Sequence, residues 1–288
     1  MMSIYIQLLF ASLFWGSNVI VMKILLEHIP FLFLAFLRVF FSLVFLFIGM
    51  LYKKTSFHQE HKFYVLILGF LSIYFNFLFT FIGMKEVKGV DTAFINALSP
   101  LLTLIFCFLF LSKKPTRKEI YAITLSIFAF LLSIRFQIFS LQKGFYYLLL
   151  GMSFYLLSQV FIQKWQFEKG EAFVFYQLLF GVFFLLIHCL YRQQIQFSSL
   201  VDVSLIQWFM FLIISGFGFA YIQSVYIKSI NSIGALKTSF FLSLNPIFTY
   251  VESLIFLDEH FSILHFFSFV LLIGAIILVN SQKQKKTD

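Results

Sequence analysis

Thr92-Ala93-Phe94-Ile95-Asn96-Ala97-Leu98-Ser99-Pro100-Leu101-Leu102-Thr103 recurs, 146 positions later, as Thr238-Ser239-Phe240-Phe241-Leu242-Ser243-Leu244-Asn245-Pro246-Ile247-Phe248-Thr249. The shared pattern is Thr-x-Phe-x-x-x-Leu-x-Pro-x-x-Thr. Each copy sets a proline near the middle of a long apolar stretch. There proline removes an intrahelical hydrogen bond and bends the helix. In lipid the freed carbonyls must be satisfied by protein or by cavity water. Seven of the twenty residues from 92 to 111 match those from 238 to 257. The matched prolines and threonines are not explained by apolar bias.

The composition around this repeat is that of a membrane protein. Of 288 residues, 61% are hydrophobic and 11% charged, against about 25% charged in soluble domains. Mean hydropathy is +0.96. So few charges cannot cover a water-facing surface. The 46 Phe residues read mostly as lipid-facing filler and partly as pocket lining. The net charge of +9 forms no basic face for nucleic acid, because the cations sit in short loops. Cys107 and Cys189 give no disulfide framework, the His residues form no metal-binding array, and no cofactor is expected. The first apolar run lacks the features of a cleaved signal peptide and reads as a retained span.

A spanning helix needs about 20 mostly apolar residues. Ten runs qualify, at 4–26, 31–51, 63–84, 90–111, 119–136, 144–163, 172–191, 205–227, 235–257 and 262–281. They are too long, and too uniformly apolar, for barrel strands. With the N-terminus placed inside, the cytoplasmic segments carry 14 Lys/Arg and the outer segments carry 5. Lys23 and Arg38 lie within or near spans. This bias puts both termini in the cytoplasm. Pro100 then falls in the fourth span and Pro246 in the ninth. Five is odd, so the second half enters the membrane inverted, a common plan of secondary transporters. The expected fold is all-α and integral to the membrane, with ten transmembrane helices in two inverted five-helix repeats. The boundaries are 1–140 and 141–288, the latter ending in a short cytoplasmic tail.

Further residues carry a family resemblance. The first span holds Phe14-Trp15-Gly16-Ser17-Asn18 followed by Lys23, and the second holds Phe36-Leu37-Arg38-Val39-Phe40. Leu257-Asp258-Glu259 comes late, and Gly274 lies in the final span. Over nearly its whole length the chain resembles the EamA family of the drug/metabolite transporter superfamily. The resemblance implies a five-plus-five inverted repeat, a central cavity, and export or uptake of small metabolites such as amino acids. It also shows departures. Ser112-Lys113 stand where the family often has Gly-Glu, and Asn245-Pro246 where an acid-Pro pair is common. Gln177 stands at the counterpart of Arg38.

Charges and amides inside the spans are the candidate working groups, because polar groups in a bilayer are costly. Glu252, opposite Phe106 in the first copy, is either a proton-titrating carboxylate and counter-ion or an acid reaching toward the interface. For Arg38 two roles are open: holding a substrate carboxylate through its planar fork, or acting as a structural or gating lock. Lys23 is expected to snorkel, and Asp91 to serve as a helix N-terminal acid. Asn96 and Pro100 share one helix face four residues apart, and Ser243 and Asn245 flank Pro246; these polar groups either line a cavity or only patch the kink. Asn18, Asn76, Gln159, Gln177 and Gln223 either line a cavity or glue helices together. Trp15 and Tyr221 are candidates for stacking on a solute, whereas Trp165 and Trp208 sit at span ends as belt anchors. These residues predict a permease of an inner or plasma membrane. It would move a small polar or amphipathic metabolite by alternating access, outward in the sense of efflux, with proton coupling through Glu252. An intramembrane enzyme would need a convergent catalytic set, and a scaffold or sensor would normally carry a soluble domain. Neither feature stands out in the sequence.

Overall fold

A computed structural model describes residues 3–87, 89–135, 143–166, 170–256 and 262–281. The expectations for Lys88, Asp91, Lys169, Leu257, Asp258, Glu259, Lys283, Lys285 and Lys286 fall outside the described residues or side chains. So does the boundary at 140/141.

Every described run is helical, as lipid requires of backbone that must satisfy its own hydrogen bonds. The runs are α1 (Ile4–Leu25), α2 (Phe31–Lys53), α3 (Lys62–Glu86), α4 (Thr92–Leu111), α5 (Arg117–Ser133), α6 (Lys143–Trp165), α7 (Gly170–Tyr191), α8 (Leu205–Ile233), α9 (Ala235–Phe256) and α10 (Ile263–Asn280). Among the described residues, nine of these are long and apolar enough to cross a membrane. The other, α5, has 17 residues. Local signals set the ends. Thr116 and Glu119 form a capping box at the start of α5, and Ser204 and Gln207 form one before α8, each satisfying two orphan amides. Gly234 alone separates α8 from α9, with φ +87° and ψ 157°, a region open essentially only to glycine.

The two proline segments differ from the expected single kinked helices. In α4 a 3-10 turn over Ile95–Leu98 interrupts the run, and a fresh α-helix starts at Ser99 with Pro100 in its first turn. In α9 the first piece ends at Leu242 and the second starts at Asn245, ahead of Pro246. Proline is well tolerated in a first turn, where its missing N–H had no partner. Both helices are therefore broken rather than bent. A second paired irregularity was not visible in the sequence. α3 widens into a π-helix over Phe70–Phe75, and α8 does so over Phe211–Phe217.

Packing follows an exchange pattern. α1 lies on α8 and α9, while α6 lies on α3 and α4. α2 meets the π segment of α8, while α7 meets that of α3. The pairs α2–α7, α4–α9 and α5–α10 complete the bundle. Each half of α4, including the short helix Gly89–Phe94 that leads into it, packs on the opposite half of α9. At this crossing Ser99 Oγ donates to Ser239 O at 2.9 Å. Glycines permit close approach between helices. A Cβ on Gly83 would stand 2.6 Å from Gly144 O, and one on Gly16 would stand 2.9 Å from Asn245 O. The phenylalanines divide between core and periphery: Phe77, Phe211 and Phe219 are fully buried, whereas Phe63, Phe108 and Phe209 are exposed.

Candidate functional site

A cavity of about 50 Å³ opens between α1, α2, the later part of α3, the start of α4, α6 and Leu242 of α9. Trp15 and Asn18 reach it from α1, Arg38 from α2, Asn76 and Thr80 from α3, Asn96 from the broken turn of α4, and Tyr155 from α6. Of the sequence-selected residues it gathers Trp15, Asn18, Arg38, Asn76 and Asn96. A water needs roughly 10–15 Å³ of such space, so the cavity holds a few waters.

The π segments fix two of the amides. Each π segment contains a serine, at different positions in the two segments. In α3 the Ser72 carbonyl accepts from Asn76 Nδ2 at 3.1 Å, and the Ser72 hydroxyl accepts from Gln177 Nε2 at 2.7 Å. In α8 the Ser215 carbonyl accepts from Ser42 Oγ at 3.3 Å, and its hydroxyl accepts from Asn18 Nδ2 at 2.9 Å. Thr80 Oγ1 donates to Asn76 Oδ1 at 3.1 Å. Asn18 and Asn76 are therefore held in fixed orientations at the cavity wall.

Arg38 dominates the electrostatics. It is 5% exposed, and its guanidinium lies between two rings, 4.5 Å from the centroid of Phe77 and 4.6 Å from that of Phe219. Among the described residues the ion pairs are Lys53–Glu171, His58–Glu60 and Lys113–Glu119, none of them in the cavity. No described carboxylate pairs with Arg38, and its Nε meets no acceptor. Each ring face contributes about 2 kcal/mol or more when desolvated. Burying a cation costs several kcal/mol even after relaxation. Tyr155 stands beside it, 2% exposed, with its ring 5.1 Å from Trp15 and no partner for its hydroxyl among the described residues. The cavity thus holds a fixed positive charge and an unused phenol.

The remaining candidates lie elsewhere. Glu252 is half-buried between α9 and α1, where Ser17 Oγ donates to its Oε1. Thr249 Oγ1 donates to Gly16 O at 3.0 Å along the same contact. Gln177 serves the π segment of α3. Gln159, Gln223 and Asn245 are buried, with no partner among the described residues for either amide atom. Pro100 and Pro246 start half-helices next to the cavity. Tyr221 packs on Phe14 at 5.9 Å and donates to Gln7 O at 3.4 Å, outside the cavity. Lys23 turns inward, its ammonium donating to the Met84 carbonyl. Among the described residues, no three of His, Cys, Asp and Glu cluster in a way that could hold a metal. Sequence reasoning missed Tyr155, Thr80 and the Phe77/Phe219 clamp. Tyr155 offered one signal, a polar partner four residues on at Gln159. The two Phe residues offered none among so many.

A family model described as the EamA-like transporter family matches residues 2–135 and again 142–281. No curated protein matches by sequence. Among solved structures 28 chains match. One crystal structure superposes with a TM-score of 0.74 over 99% of both chains at 13% identity, a likeness of fold.

Proposed function

The chain belongs to the EamA-like transporter family, a family of membrane transporters, and from that premise we propose that the cavity around Arg38 is its solute site. The protein is then a multi-pass permease that moves a small metabolite, such as an amino acid or a related compound, by alternating access and in the export direction. The observation that carries this reading is the cavity itself: fixed amides, an aromatic wall and a bare cation, enclosed by helices long enough to cross a bilayer. Broken helices beside a mid-membrane site are the usual construction of secondary transporters.

Three features support ten spans in two inverted repeats, 1–140 and 141–288. The helix breaks and the π segments recur five runs apart. The packing survives exchange of the halves. α4 and α9 contact each other half against opposite half, as antiparallel elements do. An odd offset of five places the halves with opposite orientation. The Lys/Arg bias supports cytoplasmic termini in a plasma or inner membrane, and the half-buried Glu252 supports proton coupling. The test is uptake and counterflow of labelled amino acids and related metabolites in proteoliposomes, with single-cysteine labelling at Gln193 and Lys54 for topology. Accumulation of a solute that unlabelled solute chases out is the expected result. Labelling of both loops from one side would end the inverted arrangement, and absence of counterflow for every solute tried would end the transport reading.

A further inference from the structure

We propose that the cavity selects amphipathic organic monoanions, with a single carboxylate held by the Arg38 fork and the Tyr155 hydroxyl. This rests on the reading of the cavity as a solute site and narrows its solute to related compounds that lack the ammonium of an amino acid. Charge counting carries it. Arginine stays protonated at any physiological pH. Arg38 is the cation lining the cavity, and no acidic side chain lines it among the described residues. Its Nε meets no acceptor among the described residues, whereas nearby buried amides such as Asn18 and Asn76 are already engaged. A buried donor set of this kind is completed by an acceptor from outside the protein. A carboxylate matches the guanidinium fork geometrically and neutralises one charge.

The same count ranks competing solutes. A phosphate monoester near neutral pH carries up to two charges, and one would stay uncompensated in a low-dielectric site. A cationic amine meets repulsion from Arg38. A zwitterion places its ammonium among neutral side chains without a counter-ion. The carbon body has an apolar wall in Trp15, Leu148 and Met152, with the Tyr155 ring tilted against Trp15. The present volume fits the head group, so the helices must part to admit the body.

The experiment uses the purified full chain in detergent. It measures binding by thermal shift and by fluorescence quenching, since Trp15 faces the cavity. The probes are phenylacetate, phenylacetamide, phenyl phosphate, phenethylammonium and phenylalanine. Phenylacetate is expected to bind most tightly. Phenylacetamide, which has the same shape without the charge, should bind at least about 30-fold more weakly, the usual consequence of deleting one member of a desolvated charge pair. Arg38→Gln should abolish the preference of acid over amide, and Arg38→Lys should retain part of it. Equal binding of acid and amide, or no binding of phenylacetate at millimolar concentration, overturns the proposal on the wild-type protein alone, whether or not a variant folds. A proteoliposome arm separates the two readings. Binding of phenylacetate without flux defeats transport and leaves the anion site standing. Flux of phenylacetamide or phenethylammonium without preference for the acid defeats the anion site and leaves transport standing.

Discussion

Gly151→Ala would place one methyl group where α6 crosses α3 behind the cavity. The added Cβ stands 2.7 Å from Thr80 Oγ1, 2.8 Å from Asn76 O and 3.1 Å from Thr80 N. Ordinary contact begins near 3.4 Å, so the helices must separate by about 0.6 Å to relieve the backbone contacts. Two of the three obstructing atoms are backbone and cannot rotate away. Overpacking of this kind typically costs 1–3 kcal/mol, and a cost of about 2 kcal/mol corresponds to roughly 4–8 °C in Tm. The shift also moves Tyr155 away from Asn76 and Thr80, so transport should fall along with stability. Melting of the detergent-solubilised protein, read as monodisperse fraction after heating, measures the first effect, and counterflow measures the second. Gly49→Ala and Gly274→Ala are the controls. Nothing lies within 4 Å of a Cβ at either position, and alanine in a helix interior gains about 0.5–1 kcal/mol over glycine. The controls should melt at or slightly above the wild-type temperature. A Gly151→Ala protein that melts with its controls would refute close packing of α3 on α6 at this point.

Other substitutions read the polar interior. Arg38→Met removes a cation that has no counter-charge among the described residues, and should raise Tm by ~2–4 °C, about 1 kcal/mol, while destroying transport of carboxylates; a fall in Tm would instead make Arg38 a structural lock. Gln223→Leu replaces an amide with no described partner by an apolar group of similar size, and should stabilise by about 1–2 kcal/mol with transport retained; destabilisation would show that water or solute satisfies this amide. Glu252→Gln keeps the contact with Ser17 but cannot titrate. If Glu252 couples transport to protons, the pH dependence of flux in proteoliposomes should flatten, and an unchanged profile removes that role. Cys107 and Cys189 are free and buried, so maleimide should modify neither in the folded protein, and rapid labelling of either would contradict the packing around α4 or α7.

Helix positions were legible because membrane helices announce themselves by length and apolarity. The runs begin and end within a few residues of their expected limits, except that α8 continues to Ile233 and leaves the single glycine turn at Gly234. The duplicated proline segment was legible as a pair. Its form was not, because a proline in an apolar stretch reads equally as a kink and as the first turn of a new helix. Which one occurs depends on what satisfies the neighbouring carbonyls, and here Ser99 and Ser243 do part of that, donating to Asn96 O and Phe240 O. The site was half legible. Arg38, Asn18, Asn76 and Asn96 stand out as polar residues in an apolar chain. Their convergence depends on rotation of each helix about its axis, which the π segments alter, and π segments leave no mark in composition. Gln159 and Gln223 carried the same sequence signal as Asn18 and point elsewhere.

The clamp on Arg38 has a mechanical meaning. Phe77 comes from the first family-matched segment and Phe219 from the second. The cation is a bolt passing through two plates, one in each half of the molecule. If the plates move apart to admit water, the guanidinium would gain a hydration shell and its hold on the proposed anion would weaken. If they close, water would leave and the hold would tighten. Grip and motion would then be one event, and a solute would be released by the opening that gives it a way out.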